Sequence, residues 1–232
     1  MWHGANTHEQ NERTDMNRRF FAQLFGRGAA ALALASSALV LAMPAAAADE
    51  AADAMIKRLS TEVLETIKGD KAIQAGDMSK VITLVDTKIM PNVNFQRMTA
   101  SAVGPAWRKA TPEQQKRLQD EFKILLVRTY SGALAQVSDQ QIVVKPLRAA
   151  AEDTEVLVRS EVRGGVDPIQ LDYRLEKTPG EGLGWKIYNL NVLGVWLVET
   201  YRSQFASEIN AKGIDGLIAT LQTRNQSNAK KS

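Results

Sequence analysis

The residue types that most often carry enzyme chemistry are nearly absent from this chain. It contains no cysteine, and its only two histidines, His3 and His8, lie within the first eight residues. The remainder therefore has no Ser-His-Asp triad, no cysteine nucleophile and no His/Cys zinc site. Carboxylate, lysine or tyrosine chemistry stays open, but no cluster of these residues stands out. The sequence assigns no catalytic residue, no metal site and no cofactor.

One combination of an acid with a tyrosine suggests an enzyme as an alternative. Asp172 as a general base, with Tyr173 or Tyr188 as hydrogen-bond donor, would suit a cone-shaped α+β enzyme of the ketosteroid-isomerase kind. Neighbours on a strand point to opposite faces, so Asp172 and Tyr173 do not readily share a pocket. Tyr188 on the next strand leaves this alternative open. A chaperone, the other alternative, would need an exposed apolar patch rather than an enclosed one.

The N-terminal segment has the three parts of a signal peptide. A basic segment at residues 17–21 precedes an apolar run at 29–41, and small residues follow at 46–48. The apolar run is about 13 residues long, too short for a helix that needs roughly 20 to span a bilayer. We predict a signal peptide over residues 1–48, with Asp49 as the first mature residue, and export to the periplasm.

Two details of export stay open. Residues 1–15 are polar and unlike the start of a signal peptide, so Met16 is a plausible second start. The pattern Arg18-Arg19-x-Phe21 hints at twin-arginine export, with the Sec route as the alternative. The absence of cysteine excludes a lipid-modified N-terminus, so the exported protein is expected to diffuse freely.

The mature chain is nearly neutral. The leader removes four of 29 basic and three of 26 acidic residues, which leaves 25 and 23 in 184 residues. A nucleic-acid binder needs a concentrated basic surface, so nucleic acid is not an expected partner. The length fits one domain, which we place at residues 49–222, followed by a polar tail at 223–232 that we predict to be disordered.

The first half of the mature chain has helical periodicity. Apolar residues recur every three or four positions over residues 55–67 and 81–89. Asn94 can cap a short helix that ends near Gly104-Pro105. The segment Thr111-Pro112-Glu113-Gln114 forms a capping box with proline at the first helical position, and it begins the longest helix, of roughly 25 residues.

The second half alternates with period two before it becomes helical again after Gly194. Four strands are predicted, at residues 141–147, 154–163, 169–177 and 185–192. In the third strand Ile169, Leu171, Tyr173 and Leu175 share one face, opposite a polar face. The fold class is therefore α+β: a four-stranded curved antiparallel sheet packed against six to seven helices, with room for an internal apolar cavity.

Two stretches resemble the MlaC family, also called toluene-tolerance auxiliary proteins. The first, residues 85–134, carries Trp107-Arg108 and Thr111-Pro112-Glu113-Gln114-Gln115. The second combines Trp185-Lys186-Ile187-Tyr188 with Tyr201-Arg202-Ser203-Gln204-Phe205. Together with the strands between them, the resemblance spans most of the mature chain. Two positions depart from the family pattern: Asn189 stands where Asp is usual, and Trp196 where Ser is usual.

The resemblance implies a periplasmic carrier, a monomer with a diacyl phospholipid as its cargo. It would exchange lipid between an outer-membrane lipoprotein-porin complex and an inner-membrane transporter of the ATP-binding-cassette class, and so maintain outer-membrane lipid asymmetry. The candidate residues around the acyl chains, each of which also has an ordinary role in a core, are Phe95, Trp107, Phe122, Leu126, Tyr130, Val158, Leu171, Tyr173, Ile187, Val192, Trp196, Tyr201 and Phe205. Arg202 is the candidate at the head-group rim, with a helix-stabilising salt bridge as the alternative, and Trp196 is expected to shape lipid capacity.

Overall fold

Aspartate side chains cap two of the first three helices. The structure is a computed structural model that describes residues 50–135, 137–150, 152–165 and 167–229, so the predicted signal peptide lies outside the described residues. The carboxylate of Asp70 accepts hydrogen bonds from two backbone N–H groups at the start of the second helix, and the carboxylate of Asp77 does the same for the third. The first three helices are α1 (Ala52–Gly69), α2 (Lys71–Gln74) and α3 (Met78–Leu84).

The capping box at Thr111 forms as predicted. Thr111 Oγ1 accepts a hydrogen bond from the Gln114 backbone N–H at 3.2 Å, and Gln114 Oε1 accepts one from the Thr111 N–H at 3.0 Å. Asn94 likewise accepts a hydrogen bond from the Arg97 N–H at 2.9 Å. These caps begin α5 (Pro112–Ala135) and α4 (Phe95–Val103), which a 3₁₀ turn over Gly104–Lys109 connects.

The sheet has five antiparallel strands in sequence order. The four predicted strands are present as β1 (Gln141–Val144), β2 (Glu155–Arg163), β3 (Ile169–Lys177) and β4 (Trp185–Val192). The fifth, β5 (Val195–Trp196), folds back on β4 after a two-residue turn. A strand of two residues is too short to show a period, which is why the sequence predicts only four.

A β-bulge changes which side chains of β4 face inward. The register shifts between Arg174 and Leu175, where Tyr188 is the extra residue of β4. Ile187 pairs opposite Leu175 before the bulge, and Leu190 pairs opposite Tyr173 after it. Inward positions on β4 are therefore odd-numbered before the bulge and even-numbered after it.

The polar outer face of the sheet is partly covered, which corrects the expectation that it is solvated. Asp172 and Asn189 are only 5% and 2% exposed. Asn189 Oδ1 accepts a hydrogen bond from the backbone N–H of Val198 at 3.2 Å, so the start of the last helix lies over this face. The strand pattern predicts the two faces, but it does not show that a later helix returns over one of them.

The last helix, α6 (Leu197–Ala229), is longer than the sequence predicts. It bends at Gly213, whose φ of 71° is in the left-handed region. The tail was predicted to be disordered from Thr223, whereas the helix continues to Ala229. Asn225 accounts for this difference: it is buried, and its Nδ2 donates hydrogen bonds to the backbone O and Oε2 of Glu121 at 2.9 and 2.7 Å.

Helices pack on the inward face of the sheet at two places. α1 packs on β1 and β2, while α4 and α6 pack on β4, and α5 packs against α6. The interior accordingly contains a helical cluster around Phe122 and a sheet cluster of α1 side chains against Val158 and Leu175. Among the described residues, no helix has both the length and the apolar character needed to cross a bilayer.

Candidate functional site

Apolar side chains that keep accessible surface lie where α5 faces the sheet. Leu126 and Tyr130 of α5, and Leu190 and Val192 of β4, pack against the helical cluster but are only half-buried. Tyr173 of β3 packs against the sheet cluster in the same half-buried state. In a close-packed core such side chains would be fully buried. Their partial exposure shows that these side chains are not close-packed on all sides.

Tyr173 supports this interpretation because it is surrounded by protein and yet retains accessible surface. Burial raises the pKa of its hydroxyl, and weaker contacts with Ser60 and Ser160 act against that rise. Exposure to bulk water would not desolvate the hydroxyl. The hydroxyl of Tyr173 therefore lies in a desolvated environment, although the side chain keeps accessible surface. Burial also raises the pKa of Tyr130 and of Tyr201.

Further apolar side chains of the inward face lie towards one end of the sheet. Ile142, Val162 and Ile169 occupy one inward row across three strands, and Leu171 lies in the next inward row beside Val192. Of these five residues, only Val192 belongs to a hydrophobic cluster formed by the described residues. Ile169 is 40% exposed. We use "apolar interior" for Leu126, Tyr130, Leu171, Tyr173, Leu190 and Val192.

The apolar interior is suited to hydrocarbon rather than to a polar substrate. Its six residues provide aliphatic groups, two aromatic rings and no ionisable group that is charged at neutral pH. Within the described part of the chain, no group of three or more His, Cys, Asp or Glu residues is arranged to hold a metal ion. The arrangement can remove apolar groups from water, which gains about 0.8 kcal/mol for each methylene.

The acid and tyrosine pair of the enzyme hypothesis is not assembled in this interior. Asp172 is on the outer face, where it accepts a hydrogen bond from Gln170 Nε2 at 2.7 Å. Tyr188 donates to Glu155 at 2.8 Å, and the Arg97 guanidinium lies 3.6 Å from its ring centroid. Tyr188 is therefore engaged with an ion pair outside the apolar interior.

Five of the 13 candidate lining residues lie in the apolar interior: Leu126, Tyr130, Leu171, Tyr173 and Val192. Six others are buried core, which matches their alternative role: Phe95, Phe122, Val158, Ile187, Tyr201 and Phe205. Phe122 is the centre of an aromatic group, with ring centroids 4.9 Å from Tyr201 and 5.2 Å from Phe205. Such contacts fix the helices that stand above the sheet.

Trp107 and Trp196 lie away from the apolar interior. Trp107 packs on the outside of the helical cluster and lines a surface cleft with Arg97 and Arg108. Trp196 pairs opposite Asn191 and is therefore on the outer face. The Arg174 guanidinium lies 4.0 Å from its ring centroid. This corrects the prediction that Trp196 lines the cavity, because the short β5 turns the indole away from it.

Asn189, the other departure from the family pattern, is explained by its neighbour. Its Nδ2 donates a hydrogen bond to Glu199 Oε2 at 2.8 Å. Burial acts to raise the Glu199 pKa, but hydrogen bonds from Asn189 and Arg174 outweigh burial, and the pKa is lowered. An aspartate at position 189 would put two carboxylates side by side. The amide is therefore matched to Glu199.

Arg202 contacts a neighbouring helix in this structure. It is exposed, and its Nε donates a hydrogen bond to the backbone O of Ser101 at 2.8 Å, in the last turn of α4. A cation at this place stabilises the C-terminal end of a helix. The contact agrees in kind with the stabilising alternative, although the partner is a carbonyl group and not an acid.

Leu190 is the lining residue that the sequence analysis missed. Alternation along β4 from Ile187 would place Leu190 on the outer face, and the bulge at Tyr188 reverses this. No local signal in the sequence marks the bulge. A turn-forming residue such as glycine would have been such a signal, but none occurs between Trp185 and Val192.

Comparison with known proteins gives consistent matches over most of the described residues. A family model described as MlaC protein matches residues 57–223. The toluene tolerance protein ttg2D of Pseudomonas putida is 30% identical over 165 residues, which are 69% of this chain and 74% of that protein. The intermembrane phospholipid transport system binding protein MlaC of Haemophilus influenzae is 23% identical over 170 residues, which are 72% and 79% of the two chains.

A solved structure is also similar to this chain in three dimensions. It is a phospholipid-binding protein from Ralstonia solanacearum in complex with a phospholipid, and it is 49% identical to this chain. The match has a TM-score of 0.74 and covers 78% of this chain and 99% of that one. The arrangement of helices and sheet described above is therefore one that, in that protein, accompanies a bound phospholipid.

Proposed function

The chain belongs to the MlaC family, and from this we propose that it is a carrier that binds a phospholipid by its acyl chains in the apolar interior. The observation that carries the proposal is the set of half-buried apolar side chains between α5 and the sheet. The similar protein that holds a phospholipid supports the choice of ligand. The head group would stay near solvent, at the end of the sheet where Ile169 is exposed.

The energetics explain why such a carrier is needed and what it cannot do. Two C16 chains contain roughly 30 methyl and methylene groups, so removing them from water is worth about 25 kcal/mol. A free lipid therefore does not cross an aqueous space in useful amounts. The same chains are already buried in a bilayer, however, so transfer from a membrane to the protein gains little. Direction must come from partners and not from the carrier.

We further propose that the protein acts in the periplasm, between the two membranes. The signal-peptide pattern over residues 1–48 supports export, and the family supports the location. The proposed partners are an inner-membrane transporter of the ATP-binding-cassette class and an outer-membrane lipoprotein-porin complex. The lipid passed between them would maintain the asymmetry of the outer membrane. A monomer suits a shuttle that meets two membranes in turn.

Native mass spectrometry of the protein from Asp49 onward, purified without detergent, tests the proposal directly. A carrier is expected to retain a stoichiometric adduct that resolves, after denaturation, into diacyl phospholipid. The mass of the adduct gives the number of lipids bound. A clean apo mass, together with no uptake from phospholipid vesicles, would contradict the carrier function and favour the enzyme or chaperone alternatives.

A further inference from the structure

The two large aliphatic side chains with the highest exposed fractions among the described residues lie at the turn between β4 and β5. Leu193 is 64% exposed and Val195 is 51% exposed. Ile169, at the start of β3, is 40% exposed at the same end of the sheet. We call Leu193, Val195 and Ile169 the apolar tip. A single exposed leucine is ordinary, but three aliphatic side chains together at one protruding end require a reason.

The backbone conformation of Leu193 is a second unfavourable feature of this turn. Leu193 has a φ of 52° and Gly194 a φ of 86°, so both turn residues are left-handed, as in a type I′ hairpin. Asn-Gly is the preferred pair in such a turn, because asparagine tolerates the left-handed region and leucine does not. The Leu193 N–H donates to Gln170 O at 3.0 Å, and the Gly194 N–H to Asn191 Oδ1 at 2.8 Å, which hold the strained turn in place.

Strain and apolar exposure at one residue are not explained by folding, since asparagine would relieve both. Residues held in unfavourable conformations cluster at functional sites. The apolar tip is also continuous with the apolar interior, because Val192 lines that interior and Leu193 follows it directly. Leu171 pairs opposite Val192 between Tyr173 and this end of the sheet, so aliphatic side chains lie along the path from the interior to the tip.

We propose that the apolar tip inserts into the surface of a lipid bilayer while phospholipid is exchanged, an inference that rests on the proposed carrier function. The tip is exposed and purely aliphatic, which suits insertion among acyl chains. Contact surfaces for proteins concentrate their binding energy in Trp, Tyr and Arg, and the tip has none of these. Three aliphatic side chains give weak attachment, which a shuttle needs in order to leave the membrane.

Site-specific fluorescence tests the insertion. The chain has no cysteine, so Leu193→Cys in the protein from Asp49 onward can be labelled uniquely with the environment-sensitive dye NBD. The matched control is Leu157→Cys, an aliphatic residue 36% exposed on the outer face of β2. With vesicles of zwitterionic phosphatidylcholine, emission from position 193 is expected to shift to the blue and to be quenched by brominated lipid, while position 157 does not respond.

Leu193→Asn provides the functional readout. We expect its Tm to rise by roughly 2–4 °C, because Asn-Gly relieves the strain. Its lipid load should match that of the wild type, while phospholipid transfer between vesicles slows by about fivefold or more. A purely structural role for Leu193 would not produce greater stability together with slower transfer.

Three fluorescence results would overturn the inference. They are no spectral change at position 193, an equal change at position 157, or a change at 193 only when the vesicles contain a partner protein, which would assign the tip to a protein contact. Transfer by Leu193→Asn at the wild-type rate would also overturn it. If the wild type carries phospholipid but its tip does not respond, this inference alone fails; if the wild type carries none, the proposed function fails as well.

Discussion

Leu171 is the residue at which an empty interior can best be distinguished from an ordinary core. It is half-buried on the inward face of β3 and belongs to no hydrophobic cluster of the described residues. Leu175, four residues along the same face of the same strand, is completely buried beneath α1. The substitutions Leu171→Trp and Leu175→Trp therefore add the same group on the same face, once into the proposed lipid space and once into packed core.

The expected effects differ in kind. An indole adds six heavy atoms to a leucine side chain, so Leu171→Trp displaces about six methylene groups of an acyl chain, worth up to about 5 kcal/mol at 0.8 kcal/mol each. At 1.4 kcal/mol per factor of ten, this lowers lipid affinity by about 10³-fold. Its cost to the stability of the protein is expected to be below about 1 kcal/mol. Leu175→Trp overpacks the core, which costs about 1–3 kcal/mol of stability.

A competition assay measures the first effect without a separate affinity for each protein. Delipidated wild type and Leu171→Trp are mixed with a limiting amount of phospholipid vesicles, and native mass spectrometry reads the adduct fraction of each from its own mass. Urea unfolding of the delipidated proteins gives the stability of both tryptophan variants. Equal adduct fractions for Leu171→Trp and the wild type, or a loss of stability as large as that of Leu175→Trp, would refute the existence of a lipid space at Leu171.

Three further predictions concern the frame around the apolar interior. Asn189→Asp replaces a hydrogen bond to Glu199 by a repulsion, and urea unfolding at pH 7 is expected to show a loss of stability of about 1–2 kcal/mol. The change raises the folded-state pKa of the two carboxyl groups, so the difference in stability from the wild type should narrow as the pH falls towards about 4. Trp196→Ser removes the contact with Arg174 and should cost at least about 0.5 kcal/mol in the same assay, while the lipid adduct in native mass spectrometry stays unchanged because the indole is on the outer face. Thr111→Ala removes a helix cap and should cost about 1 kcal/mol, measured by thermal unfolding, whereas Thr111→Ser should cost little.

Local signals in the sequence were sufficient for most of the secondary structure, although not for the two-residue β5. The capping box at Thr111 and the cap at Asn94 depend on groups at most three residues apart, so the sequence alone placed the starts of α5 and α4. The four long strands were predicted because alternation with period two persists over several residues. The resemblance to the MlaC family likewise depends on residues that are close along the chain, and the family comparison confirmed it.

The lining of the interior was predicted only in part, because a side chain's face depends on the pairing of distant strands. Tyr173 and Leu171 were predicted correctly as inward-facing, since β3 alternates without interruption. Leu190 was missed and Trp196 was misplaced, one because of the bulge at Tyr188 and the other because of the short β5. The bulge shifts the register of β4 by one residue, and the pairing of β5 fixes which face Trp196 takes. A shift of one residue moves a strand's side chains to the opposite face.

The sequence by itself determined most of the helices and the four long strands, that histidine and cysteine chemistry is absent after residue 8, and the family to which the chain is similar. Only the tertiary structure decided which apolar residues are packed core and which keep a free surface. Phe122 and Tyr130 lie on the same helix and are alike in type, yet one is completely buried and the other is not. The difference depends on what stands opposite each side chain, and that is fixed by how α5, α6 and the sheet come together rather than by any neighbour along the chain.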